Sequence, residues 1–580
     1  MPTSGSEFGV AKRRATVTFV VACFVILITS LAPAPAHATR NGDSVLPLIE
    51  RTVEVNGHLR TFWVYVPTDY AEYRLDDPKD DPIVTVVPPD GVSGDAFARE
   101  SAWTQVAERQ GFIAMFPDAG DDGWRTRGSG VLEDADLVNA ATVAVRSEWK
   151  GGDLNTYLVG EGSGAAVANV AAVRAPQQYV ATASLDGAGS TQDLEGANVA
   201  PVGSRTPSWQ ISVGSQLDRA EQAQVDYWKT QNATDRSTRD RDPRLTGPSV
   251  TYYSSKDRLS QVRVSSVKRS SDLRGIRIIT AIYESFFHPV MRFADRTSTN
   301  GTLTAYRSIR ELGLTEHVTV VAGQEHRWLA YVPRRHRSGQ HATKLPLVAA
   351  FHGRNGSARY LAQQTQWADV AEARGLVVVF PHYGAPAGTE PTANVGWATS
   401  ISADNPDVPA ALGIIDDAVR RYSIDTTRIS ITGVSQGAAF TNRLAVQYPE
   451  RFASIAPCYS GHLSASSYQD LAVVRRDVPL PTWQCRGADE LPAQFPGGTV
   501  GETAARTFWR ETVNKNVGPA TTQVDGRYTT EIFADGLAEY RWTVNDDIGH
   551  FMPRNLSFKL WDELMSRYAR NADGVLVKRG

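Results

Sequence analysis

The chain has 580 residues, 42% of them hydrophobic and 21% charged, a composition typical of globular proteins. The formal net charge is −3 and no basic stripe runs along the sequence, which argues against nucleic acid as a partner. The length predicts about two to four domains, each able to bury a core of its own.

Residues 1–38 have the pattern of a secretory signal peptide. Basic residues at 12–14 precede an apolar run of 18 residues, and an Ala-x-Ala motif ends at Ala38. Two other interpretations stay open: the run is kept as a membrane anchor, or Cys23 marks a lipoprotein processing site. We expect cleavage after Ala38 and export, with peripheral association with the cell envelope as an alternative fate.

One sequence unit occurs twice in the chain. The segment "AWTQVAERQGFIAMFP" (102–117) matches "QWADVAEARGLVVVFP" (366–381), and "LVGEGSGAAVANVAA" (158–172) matches "ITGVSQGAAFTNRLA" (431–445). The matched blocks keep one order and similar separations, which indicates two copies of one domain.

Each copy alternates strand and helix patterns. A short alternating run, "VYVP" or "AYVP", is followed by a wholly apolar run, "IVTVV" or "LVAAF", typical of a strand buried on both faces of a parallel sheet. A helical W-x-x-V-A-E segment and a further apolar strand come next. The sequence therefore predicts two tandem α/β domains, each with a mostly parallel sheet flanked by helices: a first copy at residues 39–300 and a second copy at 316–580.

The second copy contains a nucleophile motif. In G-x-S-x-G, Ser435 lies between the strand pattern "RISITG" and the helix pattern "GAAFTNRLAVQYP", the setting of a nucleophile elbow. A serine needs a base, and in this arrangement the chain order is Ser, acid, His. His462 and His550 both follow Ser435, but His462 precedes every candidate acid, so the base is predicted to be His550.

The acid is predicted in "RGADELP", after the strand pattern "PTWQC". Asp489 is slightly favoured because Asp is the commoner residue, whereas the usual spacing from the glycine falls on Glu490. The oxyanion donors are predicted to be the N–H groups of Gln436 and of Arg354, in the loop "HGRNG". His352 is expected to shape that loop.

The second copy resembles secreted α/β-hydrolase esterases of the polyhydroxybutyrate depolymerase and feruloyl/acetylxylan esterase type. The resemblance rests on "LVAAFHG", "YSIDTTRISITGVSQGAAF", "RFASIAP" and "GH-x-x-P", and it spans most of residues 316–570. It implies a serine esterase without metal or organic cofactor, in which Asp416 is a helix residue rather than the acid. Arg354 after His-Gly and the region around Asp489 depart from the family pattern.

The first copy lacks these groups and is predicted to be catalytically degenerate. Gly162 stands where Ser435 stands, with Ser163 one position late. The other substitutions are Ser215 and Gln216 at the acid positions and Pro88 and Pro89 in the oxyanion loop, with His288 as the candidate counterpart of His550.

Together these features predict an exported serine carboxylic ester hydrolase acting on small or polymeric esters. Two alternatives stay open: a non-enzymatic envelope or carbohydrate-binding protein built on two hydrolase folds, and an acyltransferase that uses the same triad. Cys458 and Cys485 are expected either to pair or to be two buried free thiols.

Overall fold

The computed structural model describes residues 47–68, 82–120, 122–199, 205–245, 247, 249–293, 301–337, 343–383, 395–459, 461–495 and 497–579. The predicted signal peptide at residues 1–38 lies outside these ranges. Within them, no helix is both long enough and apolar enough to cross a membrane.

The described residues form two ten-stranded sheets and two short hairpins. The first sheet contains β1 (Leu48–Val55), β2 (His58–Tyr65), β3 (Ile83–Val87), β4 (Ile113–Pro117), β5 (Thr156–Glu161), β6 (Ala181–Leu185), β7 (Ser208–Val213), β8 (Arg236–Asp240), β9 (Ser249–Tyr253) and β10 (Val262–Val267). The first hairpin is β11 (Val290–Phe293) with β12 (Thr302–Ala305). The second sheet contains β13 (Leu314–Val321), β14 (Gln324–Tyr331), β15 (Leu345–Phe351), β16 (Val377–Pro381), β17 (Ile424–Val434), β18 (Ser454–Cys458), β19 (Thr482–Gly487), β20 (Thr521–Asp525), β21 (Tyr528–Phe533) and β22 (Tyr540–Asn545). The second hairpin is β23 (Tyr568–Arg570) with β24 (Leu576–Lys578).

Helices cover both faces of each sheet. Those of the first copy are α1 (Gly94–Glu100), α2 (Trp103–Gln110), α3 (Gly128–Trp149), α4 (Ser163–Arg174), α5 (Thr191–Ala197), α6 (Arg219–Gln231), α7 (Ser270–Leu273) and α8 (Ile276–Ile282). After α9 (Ile309–Leu312), the second copy has α10 (Ala358–Gln364), α11 (Trp367–Arg374), α12 (Asp407–Arg421), α13 (Gln436–Gln447), α14 (Gly498–Thr507) and α15 (Leu556–Glu563).

The two sheets have the same strand order. The first runs β1-β2-β4-β3-β5-β6-β7-β10-β9-β8, and the second runs β13-β14-β16-β15-β17-β18-β19-β22-β21-β20. In each sheet the six central strands are parallel and the two outer strands at either edge are antiparallel. This confirms the predicted α/β-hydrolase architecture in both copies. It also places the loops after the central strands at one edge of each sheet, where ligand sites of open parallel sheets lie.

The central strands are buried on both faces, as their apolar runs predict. Every residue of β3 and of β15 is buried, with helices packed on either side of each sheet. The burial of these strands fixes the sheet from which the site loops project.

A disulfide joins the ends of two neighbouring parallel strands. Cys458 of β18 and Cys485 of β19 are register partners with a Cα–Cα distance of 4.6 Å, and their sulfur atoms are bonded. Of the two interpretations left open by the sequence, the structure selects the pair. The bond lies directly between the strand after the nucleophile elbow and the strand that leads to the acid loop.

Removing this crosslink should destabilise the fold. The bonded cysteines are 27 residues apart, a loop whose closure is worth about 3 to 4 kcal/mol in the chain-entropy account. We expect the double variant Cys458→Ala/Cys485→Ala to lose about that much free energy of unfolding and to have a lower urea midpoint. Dithiothreitol should lower the midpoint of the wild type and leave the double variant unchanged; a wild type insensitive to reductant would mean free thiols.

Candidate active site

The nucleophile motif folds as a tight turn between β17 and α13. Ser435 has φ 57° and ψ −122°, a backbone conformation that non-glycine residues rarely adopt. A Cβ at Gly433 would lie 2.2 Å from the Gly437 carbonyl oxygen, and one at Gly437 would lie 2.1 Å from the Phe351 oxygen. Strand, turn and helix therefore approach so closely that both flanking positions require glycine.

The predicted base and one of the two candidate acids meet in the structure. Nδ1 of His550 lies 2.6 Å from Oε1 of Glu490, whose side chain is fully buried and also accepts the Gly487 N–H at 3.1 Å. An ionised carboxylate only accepts hydrogen bonds, so Nδ1 carries the proton and Nε2 is the nitrogen left for a substrate or serine hydroxyl.

The slight preference for Asp489 over Glu490 is wrong in this geometry. Asp489 is exposed, and its backbone N–H donates to the Ile548 carbonyl at 3.0 Å. That contact fixes the turn after β19 so that the next side chain, Glu490, points inward at His550. Neighbouring residues of such a turn face different directions, and the spacing from Gly487, rather than the frequency of Asp, identified the residue that faces His550.

Phe495 was not identified from the sequence. Its ring stacks on the His550 imidazole, with centroids 4.0 Å apart and planes 22° from parallel. Together with the Glu490 hydrogen bond, this contact restrains both the position and the tilt of the imidazole. The surrounding "LPAQFPGG" carries no periodic or motif signal that separates this phenylalanine from an ordinary loop residue.

His352 shapes the loop after β15, as expected. Its Nε2 accepts the Tyr383 N–H at 3.0 Å, and its Nδ1 faces the Gly353 carbonyl at 2.8 Å, which assigns the proton to Nδ1. Burial lowers the pKa of His352 to about 4, so the ring is neutral at ordinary pH. The loop is tied further by Trp397, whose indole N–H donates to the His352 carbonyl at 2.9 Å.

The loop thus held lies beside the nucleophile. A Cβ at Gly353 would be 3.2 Å from Ser435 Cβ and 3.8 Å from its Oγ, so the backbone leading to Arg354 passes next to the hydroxyl. Gln436 is the first residue of α13, where backbone N–H groups have no acceptor within the helix. Its side chain donates to the Trp397 carbonyl at 3.0 Å, and the Arg354 side chain is exposed.

His462 belongs to a separate buried cluster. Its Nε2 is 3.9 Å from Oε2 of Glu502, and that oxygen is 3.7 Å from Nη1 of Arg486. Burial, aided by the charges of Arg486 and Arg506, lowers the pKa of His462 to about 4, and burial raises the pKa of Glu502. His462 thus faces Glu502, whereas Glu490 pairs with His550, in agreement with the choice of His550 by chain order.

The first copy has the same elbow turn as the second copy but lacks the serine at its centre. Gly162 has φ 56° and ψ −124°, within 2° of the Ser435 backbone angles. A Cβ at Gly162 would lie 3.2 Å from the ring of Pro89. The proline therefore crowds the position at which the second copy has its serine side chain. Ser163 accepts the Asp90 N–H at 2.9 Å.

The proposed match between His288 and His550 is wrong. His550 follows β22 by five residues, whereas His288 comes after α8 and next to β11, where its ring lies 4.5 Å from that of Tyr306. The position after β10 that corresponds to His550 falls on Asp272, which pairs with Arg269. The match rested on an isolated histidine in an apolar segment, and the chain around it follows a different order of elements.

Comparison with known proteins points to one group of esterases. Residues 330–478 match the family model described as Esterase PHB depolymerase. A bifunctional acetylxylan esterase/xylanase of Neocallimastix patriciarum is 27% identical over 149 residues, 26% of this chain and 20% of that protein. Acetylxylan esterase A of Talaromyces purpureogenus is 30% identical over 125 residues, 21% of this chain and 31% of that protein. Poly(3-hydroxyalkanoate) depolymerase C of Paucimonas lemoignei is 25% identical over 182 residues, 30% of this chain and 42% of that protein.

Among solved structures, an acetyl xylan esterase from Aspergillus awamori aligns with 43% of this chain and 98% of its own, at 17% identity and a TM-score of 0.33. The chain spans less than half the length of the curated relatives named above. The resemblance predicted from the sequence is confirmed for residues 330–478. That segment contains Ser435 and the His352 loop and ends before Glu490 and His550.

The Glu490–His550 contact predicts which carboxylate matters. Glu490→Gln keeps the side-chain shape but replaces the carboxylate by an amide, whose N–H can favour the His550 tautomer with the proton on Nε2. We therefore expect kcat for ester hydrolysis to fall about 10³- to 10⁴-fold. Asp489→Asn, at the exposed neighbour, is the matched control and should stay within about twofold. Equal losses in the two variants would contradict the assignment of Glu490.

The buried histidines predict acid sensitivity. The pKa of His462 is lowered to about 4, against about 6.5 for a histidine in an unfolded chain, so the unfolded state binds more protons between these values. The free energy of unfolding is therefore unaffected by the protonation of His462 above a pH of about 6.5. It falls as the pH approaches 4, because protons bind His462 in the unfolded chain before they bind it in the folded one. Between pH 7 and 4 the wild type should lose about 3 kcal/mol more unfolding free energy than His462→Gln.

Urea unfolding at a series of pH values measures this difference. His58→Gln, at an exposed position, serves as the control and should follow the wild type. An unchanged pH slope in His462→Gln would show that His462 titrates alike in the folded and unfolded states.

Proposed function

We propose that the protein is an exported serine carboxylic ester hydrolase whose catalytic domain is residues 316–580. The observation that carries the proposal is the combination of Ser435 on a strained elbow with a His550 imidazole held at Nδ1 by the buried Glu490. A strained turn that presents a hydroxyl and a histidine oriented by a carboxylate are the parts that acyl transfer needs. The confirmed resemblance of residues 330–478 to esterases supports the same chemistry.

In the proposed reaction, Ser435 Oγ attacks the ester carbonyl carbon while Nε2 of His550 takes the hydroxyl proton. Glu490 stabilises the imidazolium that forms. The N–H groups of Gln436 and Arg354 donate to the oxyanion, and His550 then protonates the departing alcohol. Water, activated by His550, attacks the acyl-enzyme and releases the acid and Ser435.

The substrate class is proposed from the relatives. The names of these relatives and of a feruloyl esterase B from Neurospora crassa point to acetyl and feruloyl esters and to polyhydroxyalkanoates. We propose an ester carried by a polymer as the substrate. We further propose that the first copy, residues 39–300, is a non-catalytic domain, since Gly162 offers no nucleophile.

The decisive test is hydrolysis of short-chain p-nitrophenyl esters by the mature protein. Ser435→Ala should lower kcat at least about 10³-fold, because no other hydroxyl stands at the elbow. Ser163→Ala, the corresponding change in the first copy, should leave kcat unchanged. A fluorophosphonate should label the wild type on Ser435 and leave Ser435→Ala unlabelled.

The alternatives give different outcomes. A wild type that is inactive across acyl lengths and unlabelled would favour a binding protein built on two hydrolase folds. Activity that persists in Ser435→Ala would place the nucleophile elsewhere. Transfer of the acyl group to an added alcohol at the expense of hydrolysis would identify an acyltransferase.

A further inference from the structure

We infer that the junction between the two copies, defined as residues 290–293 and 302–307, holds two loops of the active site in their working positions. The inference rests on the proposed function, because it concerns the His550 loop and the helix that follows the oxyanion loop. It assigns positioning roles to Phe293 and Thr304, which lie in or next to the first copy, and to Tyr306.

The first set of contacts reaches the loop that carries His550. Phe551, the next residue, has its ring centroid 6.1 Å from that of Phe293. Three residues further on, the guanidinium of Arg554 lies 4.8 Å over the Phe293 ring, and its Nη1 donates to Thr304 Oγ1 at 2.8 Å. The loop between β22 and α15 thus has an apolar contact with Phe293 and a hydrogen bond to Thr304, both within four residues of His550.

The second set of contacts reaches α10, which begins two residues after Gly356 of the oxyanion loop. Arg359 is 1% exposed, lies 4.9 Å over the Tyr306 ring and donates to the Tyr306 hydroxyl. Arg359 also donates to the Arg307 carbonyl at 3.3 Å, and Gln363 donates to the same oxygen. A buried guanidinium with an aromatic face and carbonyl acceptors is a specific contact rather than loose packing.

The junction is itself anchored in the first copy. The Arg292 N–H donates to the Leu154 carbonyl at 2.9 Å, and the buried Arg292 side chain donates to the carbonyls of Tyr179, Val180 and Arg205. Phe293, the next residue, is completely buried and packs in one small cluster with Leu154 and Phe551. Displacement of β11 would therefore be transmitted to the loop that carries His550.

This arrangement gives the first copy a use that needs no nucleophile. The base and the oxyanion donors come from loops far apart in sequence, and both must hold their geometry to within a fraction of an ångström. The junction contacts both supports at once. A misplacement of about 1 Å at such groups costs up to about 10²-fold in rate.

The experiment uses the full-length mature chain with changes made only on the junction side. Phe293→Leu and Thr304→Val should each lower kcat/KM for p-nitrophenyl acetate about tenfold, mainly through kcat, because both changes leave Ser435 and its elbow untouched. Thr304→Ser keeps the acceptor for Arg554 and should restore the rate. Deuterium exchange should become faster in residues 549–556 of the two impaired variants.

Phe97→Leu is the matched control. Phe97 is as buried as Phe293 and likewise lies under a guanidinium, that of Arg274 at 4.8 Å, but this contact is inside the first copy. The control should keep the wild-type rate and exchange. An equal loss in Phe97→Leu, or wild-type kinetics in Phe293→Leu, would overturn the positioning role.

The exchange measurement separates the two proposals. If the wild type neither hydrolyses esters nor reacts with a fluorophosphonate, the proposed function fails. Faster exchange of residues 549–556 in Phe293→Leu and Thr304→Val alone would still support the junction contact. If the wild type is active and exchange in that loop is unchanged by either variant, the positioning role fails while the esterase stands.

Discussion

The structure of the site depends on one steric constraint, the close approach of strand, turn and helix around Ser435. Neither flanking glycine has room for a side chain, because the Gly437 carbonyl lies against position 433 and the Phe351 carbonyl against position 437. That approach brings β15, β17 and α13 together at one sheet edge. It also forces the central residue, Ser435, to a positive φ of 57°, which residues other than glycine rarely adopt. The oxyanion loop can reach the hydroxyl only because β15 is adjacent.

The other polar groups of the site work because they are buried and satisfied. Both ring nitrogens of His352 form hydrogen bonds with backbone groups. Burial lowers the pKa of its imidazole, so the ring is uncharged in the loop that would donate to an oxyanion. Glu490 is equally buried, but both of its oxygens accept hydrogen bonds, one from Gly487 and one from His550. One histidine thus supports a loop while the other is left with a free nitrogen for proton transfer. The difference arises from hydrogen-bond partners and not from residue type.

The sequence predicted the fold well because its signals are local and repeated. Apolar runs such as "LVAAF" identify buried strands by themselves, and finding each block twice strengthened the evidence for two domains of one fold. Ser435 and His550 followed from a motif and from chain order. For the acid, two sequence signals disagreed: the spacing from Gly487 indicated Glu490, and the commoner residue type favoured Asp489. The turn that decides between them is fixed by a contact with Ile548, which lies far along the chain. Phe495 and His288 fail for the same reason: their positions depend on loop packing, which leaves no periodic trace in the sequence.

The two copies also show what is retained when a nucleophile is absent. In the first copy the turn presents no hydroxyl, because glycine stands at its centre. Gly162 nevertheless has the backbone angles of Ser435 to within 2°. The reason is structural: the turn sets the packing of α4 on the sheet, and a Cβ at Gly164 would lie 2.4 Å from the Pro88 carbonyl, as tight as its counterpart in the second copy. The elbow thus serves to pack a helix closely against a parallel sheet in both copies, and in the second copy it also presents a serine. A G-x-x-x-G elbow by itself therefore does not indicate activity, and the proposed activity of the second copy rests on the Glu490–His550 pair as well as on the elbow.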